Sequence, residues 1–322
     1  MPLVSSPYRA PIGLRSGHVA TIYPTLFRRA PEIAVERERL ELPDGDFLDL
    51  DWSQMGHQRL AIIGHGLEGT STAKYIRGMA AAFQRRKWDT LAWNCRGCSG
   101  EPNRLLRSYH SGVSEDLAAV VNHARAHSQY REIALVGFSL GGNIVLKYLG
   151  ELGREAPSEI VAAVAFSVPC DLTSSSLRLG DLDNRVYMSR FMSDLKKKVI
   201  AKNAQFPGHL DLSGLEKVRT FAEFDDRFTA PLNGFKDARD YWTRASSKPL
   251  LPEIRIPTLL VQAGNDPFLP SPCFPRDEAE ANPALFLEIP IHGGHVGFVS
   301  KGQEYWSEAR ACSFANLQSR LA

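Results

Sequence analysis

The sequence predicts an α/β fold: a mostly parallel central sheet flanked by helices, with a helical cap insertion late in the chain. Three observations predict it. Short apolar runs alternate with stretches of helical periodicity, the pattern of β–α units that cover a parallel sheet on both faces. One run, Glu132-Ile133-Ala134-Leu135-Val136, feeds directly into Gly137-Phe138-Ser139-Leu140-Gly141, and a helical pattern leaves it. Between about residues 170 and 250 the alternation gives way to polar, helical sequence carrying dispersed aromatics. A chain of 322 residues, 43% hydrophobic and 23% charged, can bury one large core. Residues 1–322 therefore read as a single domain, with 170–250 as an insertion inside it.

In chain order, the first thirty or so residues are rich in Pro, Gly and Arg and read as an irregular arm. Residues 33–42 and 47–52 alternate apolar and polar around Pro43-Asp44-Gly45-Asp46, a hairpin that adds antiparallel pairing at one edge. Residues 59–65 form a buried-type strand. Residues 72–87 place Ile76, Met79, Ala80 and Phe83 at helical spacing, and 89–94 are the next strand. Residues 111–128 read as a helix with Ser114 as its N-cap and Leu117, Val120, Val121 and Ala124 on one face. Further buried strands follow at 132–138, 160–168, 258–263 and 285–291, and a helix at 303–321 closes the chain. Within the insertion, Phe191, Leu195 and Val199 lie four apart, an amphipathic stripe. These and Tyr187, Phe206, Phe221, Phe224 and Phe228 suit either of two roles. They could cap the strands' C-terminal ends, where open α/β sheets bind ligands, or simply pack a core.

A net charge of +2 gives no reason to expect a nucleic-acid partner. Arg85-Arg86-Lys87 and Lys196-Lys197-Lys198 read as solvated helix faces. No stretch has the length of a membrane span. The opening residues lack a basic start followed by an apolar run, and the five cysteines are irregularly spaced. Reduced thiols in a cytoplasm are the expectation. Cys95-Arg96-Gly97-Cys98 has C-x-x-C spacing but no second pair or nearby Cys/His cluster, and there is no phosphate-loop G-x-x-x-x-G-K-[ST]. Neither a metal nor another cofactor is expected.

A strand, then G-x-S-x-G, then a helix is the context of a nucleophile elbow with Ser139 at its tip. Gly137 and Gly141 suit a turn with no room for a Cβ. A serine hydroxyl needs a base, and the base an orienting acid, in the order Ser, acid, His. Asp266 opens the loop Gly264-Asn265-Asp266-Pro267-Phe268 after the fifth buried run; Asp171, Asp225 and Asp226 are rival acids. After the last run come His292-Gly293-Gly294-His295. His292 sits at the strand end, whereas His295 follows two glycines that let the chain bend toward the sheet's edge, which favours His295. The other seven histidines precede Asp266; among them His123 and His127 read as helix-surface residues. Two peptide N–H groups must meet the oxyanion. Leu140 follows the nucleophile, and Leu67 lies in the loop Gly64-His65-Gly66-Leu67-Glu68-Gly69-Thr70.

With these parts in order, the chain resembles the α/β-hydrolases, and among them the bacterial YheT-like, or AB-hydrolase-4, family. The matching stretches are Gly17-His18-Val19-Ala20-Thr21, HGLEGTSTAKYIRGMA from His65, NCRGCSGEPNR from Asn94 and GFSLGGNIVLKYLGE from Gly137. FDDRFTAPLNGFKDARDYW from Phe224, AGNDPF from Ala263 and HGGHVGF from His292 complete them. The Phe224 stretch and the Asn94 loop are the specific ones. Ala20 departs from the family pattern, which has Gln before Thr21. The resemblance implies a triad of Ser139, Asp266 and His295 and an esterase or lipase-like activity on small-molecule acyl esters. Asp226-Arg227 is expected to be an ion pair tying the insertion to the body. Two other readings of the same parts are acyl transfer to an alcohol and a non-catalytic ligand-binding member of the fold.

Overall fold

In the computed structural model, which describes residues 2–321, the apolar runs assemble into a nine-stranded sheet. Its strands are β1 (Leu3–Val4), β2 (Glu36–Glu41), β3 (Phe47–Ser53), β4 (Arg59–Gly64), β5 (Asp89–Trp93), β6 (Glu132–Phe138), β7 (Ile160–Phe166), β8 (Thr258–Val261) and β9 (Leu285–Glu288). Across the sheet they run β1-β9-β8-β7-β6-β4-β5-β3-β2. Strands β4 to β9 pair in parallel; β2 with β3, and β3 with β5, are antiparallel.

Period-2 alternation sorts each inner strand's side chains onto two faces. Leu60 and Ile62 of β4 join Leu91, Ile133 and Leu135 in one core; Ala61 and Ile63 join Ala134 and Val136 in the other. The first core is closed by α3 (Ser114–Ala126) and α4 (Leu140–Leu152), through Leu117, Val120, Val121 and Ile144. The second is closed by α2 (Lys74–Gln84) and the final helix Trp306–Gln318, through Ile76, Met79, Phe83 and Ala311. Because the chain places β5 and β6 on opposite sides of β4, the connections from these strands part company there. Such a switch point opens a crevice at the strands' C-terminal ends. The register sets Gly64 beside Gly137, so the H-G loop and the serine elbow leave the sheet as neighbours.

The N-terminal arm is more ordered than its composition suggests. β1 pairs in parallel with β9 (Leu3↔Leu287), and Gly17–Phe27 form α1. Pro24 lies inside α1, and the helix ends three residues later at Phe27. Val113, not Ser114, occupies the N-cap of α3, with no side-chain cap bond; the Ser114 hydroxyl donates instead to Glu151 on α4.

Between β7 and β8 the chain is helical, beginning with α5 (Leu172–Leu179) and α6 (Arg185–Gln205). It continues through a π-helical turn, Asp225–Thr229, to the helix Ala238–Ala245. The expected Asp226–Arg227 ion pair does not form, since adjacent residues on a helix do not face each other. Asp226 accepts the N–H of Ala238 at 2.7 Å, while Arg227 donates to the carbonyls of Asp211 and Ser213. Among the described residues no helix is long and apolar enough to cross a membrane.

Candidate active site

Ser139 directly follows β6 and stands at the N-cap position of α4 with φ 51° and ψ −117°. A non-glycine residue held there costs about 1–3 kcal/mol and needs surroundings that enforce it. Packing enforces it here. A Cβ on Gly137 would stand 2.4 Å from the Gly141 carbonyl oxygen, and one on Gly141 would stand 2.5 Å from that of His65. The turn is thus clamped between its own helix and the neighbouring loop, which pushes the Ser139 hydroxyl out over the sheet edge.

There the hydroxyl meets His295. Ser139 Oγ lies 3.0 Å from Nε2, and Nδ1 lies 2.9 and 3.2 Å from the two carboxylate oxygens of Asp266. A carboxylate only accepts, so Nδ1 carries the proton and Nε2 is free to accept from the serine. The Asp266 side chain is fully buried and that of His295 only 10% exposed. The N–H of Phe268 donates to Asp266 Oδ1 at 2.9 Å, and the Phe268 ring packs 4.2 Å from the imidazole, centroid to centroid.

The loop carrying His295 is held by distant residues that short-range sequence patterns do not reveal. The N–H of His295 donates to Thr21 Oγ1 (2.8 Å) on α1, and that hydroxyl donates to the Gly17 carbonyl (2.7 Å). The N–H of Val296, at φ 63°, donates to Ser167 Oγ just beyond β7 (2.9 Å). Asn265 Oδ1 accepts the N–H of Gly294 at 3.1 Å. Gly294 has φ 61°, and a Cβ there would meet the Gly17 carbonyl oxygen at 2.6 Å, so α1 can approach only a glycine. The Gly17–Thr21 segment was among the family-like stretches; its contact with the histidine loop required the fold.

The facing loop is organised by His65. Its Nδ1 donates to the Gly66 carbonyl at 2.7 Å, and its Nε2 accepts the N–H of Cys95 at 3.1 Å. Burial pushes this imidazole down to about 4, so the ring is a neutral brace between two loops. Tyr75 accepts the N–H of Gly66 (3.0 Å), and Tyr109 accepts that of Glu68 (3.0 Å). Between them the N–H of Leu67 has no protein acceptor among the described residues, and neither does that of Leu140 at the start of α4. The unpaired N–H groups of a helix N-terminus carry partial positive charge, which suits an oxyanion.

Ser139, Leu140, His295 and Leu67 line a cavity of about 280 Å³. Phe191, Leu195, Val199, Phe221, Phe224 and Phe228 from the helical segment line it too. The 191/195/199 stripe therefore faces the cavity; Tyr187 packs beside it on Phe268 (4.8 Å). The cations in the wall are already engaged. Arg96 is bound by Asp44, Asp46 and Asp116, and Lys202 donates to Asn103 and to the Leu105 carbonyl. Lys198 reverses its expected role as part of a solvated face: it reaches Glu68 at 3.0 Å and Cys98 Sγ at 3.0 Å. Cys95 and Cys98 are buried thiols in this region.

The rival residues stand elsewhere. His292 lies 3.5 Å from the Asn265 amide and does not line the cavity. Asp171 caps α5 by accepting the Ser174 N–H. Asp225 reaches the cavity wall but is occupied by the Thr229 hydroxyl (2.6 Å) and the Trp242 indole N–H (2.8 Å); burial pushes its carboxyl up to about 6.

Against known proteins, residues 62–302 match the alpha/beta hydrolase fold family model. YheT of Escherichia coli (strain K12) is 38% identical over 307 residues, covering 92% of this chain and 89% of that protein. Phospholipase ABHD3 of Mus musculus is 28% identical, covering 92% of this chain and 74% of that one. Among solved structures, the Pyrococcus furiosus esterase Pf2001 superposes with a TM-score of 0.60 at 17% identity, covering 90% of this chain and 98% of that one.

Proposed function

We propose that this chain, which belongs to the alpha/beta hydrolase family in its YheT-like branch, cleaves carboxylic esters with Ser139 as nucleophile, His295 as base and Asp266 as orienting acid. The observation that carries the proposal is the continuous line from the Ser139 hydroxyl through the imidazole to the buried carboxylate, at 3.0 and 2.9 Å. Ser139 Oγ attacks the ester carbonyl while Nε2 takes its proton. Asp266 holds the Nδ1–H tautomer and stabilises the imidazolium. The amides of Leu67 and Leu140 receive the oxyanion, and His295 then protonates the departing alcohol. Water, deprotonated by the same imidazole, releases the acid from the acyl-enzyme.

The helical segment between β7 and β8 serves as the cap, offering the acyl group an aromatic and aliphatic wall. Because Arg96, Lys198 and Lys202 are paired within the protein, the cavity favours an uncharged acyl chain over an anionic group. A series of nitrophenyl esters of graded acyl length tests the reading. Turnover that rises with chain length to an optimum, and that is abolished in Ser139→Ala, is the expected result. Undiminished turnover in a pure Ser139→Ala preparation contradicts it. Adding an alcohol and measuring the ratio of new ester to free acid separates hydrolysis from acyl transfer.

A further inference from the structure

At the other edge of the sheet, His123 and His127 project from the last turn of α3 toward the edge strand β2. His127 is the residue at which the helix ends, four positions after His123. They meet Glu38 of β2. The donor atoms of the three side chains all lie within 4.8 Å of one another. His123 Nε2 stands 3.0 Å from Glu38 Oε1. Even so, the pair lacks hydrogen-bond alignment, and this buried nitrogen has no hydrogen-bond partner among the described residues. The other oxygen of Glu38 is fixed by the Trp52 indole N–H at 2.7 Å. The Trp52 ring in turn packs against both imidazoles, at centroid distances of 6.3 and 5.1 Å.

We propose that Glu38, His123 and His127 bind a divalent transition-metal ion, zinc being the best match, which staples the edge strand β2 to α3. Two imidazoles and a carboxylate form a donor set suited to zinc. Ligand atoms bound to one zinc at about 2.0–2.1 Å in tetrahedral geometry sit roughly 3.3 Å from each other. The 3.0 Å approach of Nε2 and Oε1 is close to that edge length. The metal satisfies the His123 nitrogen, whose close neighbour Glu38 Oε1 is out of hydrogen-bond alignment, and solvent reaching past the Glu38 side chain, 40% exposed, supplies the fourth ligand. The Trp52 indole acts from behind as the group that orients the ligating carboxylate. Among the described residues edge strand β2 pairs only with β3, so a link to α3 anchors its free side.

The test is calorimetric titration of zinc chloride into the chelator-treated full chain at neutral pH. The same titration is run on His123→Asn, His127→Asn and Glu38→Gln, with thermal unfolding in parallel. One ion per chain is expected, with affinity falling at least tenfold in each variant. At free zinc 100 times the dissociation constant, the folded-to-unfolded ratio of the wild type should rise about 100-fold, and this stabilisation should vanish in the histidine variants. Glu38→Gln retains an oxygen for the Trp52 indole, so it reports ligand loss even if a histidine variant folds poorly. Ester hydrolysis without zinc should be unchanged in all three, as a check on folding. Absence of saturable binding overturns the proposal. So does binding that survives both histidine substitutions, which would place the ion at other groups such as Cys95 and Cys98.

Discussion

Replacing Asp266 by Asn tests the proton arrangement with almost no change in shape. The backbone N–H of Phe268 points at Oδ1 from 2.9 Å, so the carbonyl oxygen of an asparagine must stay on that side. An NH2 there would set donor against donor. The NH2 therefore takes the place of Oδ2, 2.9 Å from His295 Nδ1. A donor in that position requires Nδ1 to accept, which moves the ring proton to Nε2. Nε2 faces Ser139 Oγ at 3.0 Å and is then a donor, unable to take the serine proton. A wrong tautomer of this kind lowers kcat on the order of 10⁴-fold, about 5 kcal/mol of transition-state stabilisation. The assay is steady-state hydrolysis of a soluble nitrophenyl ester, with unfolding measured alongside. Because the cavity wall is untouched, KM should move little and the melting temperature should be nearly unchanged. A loss of less than about tenfold in kcat would refute this account of how Asp266 acts.

Three further outcomes follow from the same geometry. Thr21→Val removes the acceptor for the His295 N–H; losing one such bond, worth about 1–1.5 kcal/mol, should lower kcat roughly tenfold with KM retained, and Thr21→Ser should restore it. Gly141→Ala forces a methyl against the Gly64 and His65 carbonyls, at 2.7 and 2.5 Å, and should lower stability by about 1–3 kcal/mol or more in denaturant titration. His65 has an ordinary value of 6.5 and is pushed down to about 4 by burial. The unfolded chain therefore binds a proton that the folded one refuses, and stability contributed by the neutral ring is lost as pH falls from 6.5 toward 4. The loss attributable to His65 is roughly 3 kcal/mol. Asp225, raised to about 6, works in the opposite direction over that range. The diagnostic is therefore the difference in urea stability between wild type and His65→Asn at pH 7 and pH 5, and the gap should narrow in acid.

Much of the fold was legible because inner parallel strands must be apolar on both faces, and runs such as Leu60–Ile63 and Ile160–Phe166 declare that directly. The candidate site residues were legible for a related reason. Ser139, Asp266 and His295 each follow such a run, and each lies on a loop whose glycines or proline interrupt regular structure. The helix of the arm was not legible, because Gly17 and Pro24 lower helix propensity and the gain comes from docking on the histidine loop. Lys198 looked like part of a charged face because its partner, Glu68, is 130 positions away. His123 and His127 have helix-surface spacing, and only the return of β2 along α3 reveals Glu38 and Trp52 beside them.

Whether Ser139 is the nucleophile is decided by covalent labelling: treat the folded protein with a fluorophosphonate and locate the adduct by peptide mass spectrometry. One phosphonylated residue per chain, Ser139, is expected, forming in step with loss of ester hydrolysis. The adduct should be absent in Ser139→Ala and slow to form in His295→Ala. A protein that hydrolyses esters while Ser139 stays unmodified, or that is labelled and inactivated at another residue, contradicts it.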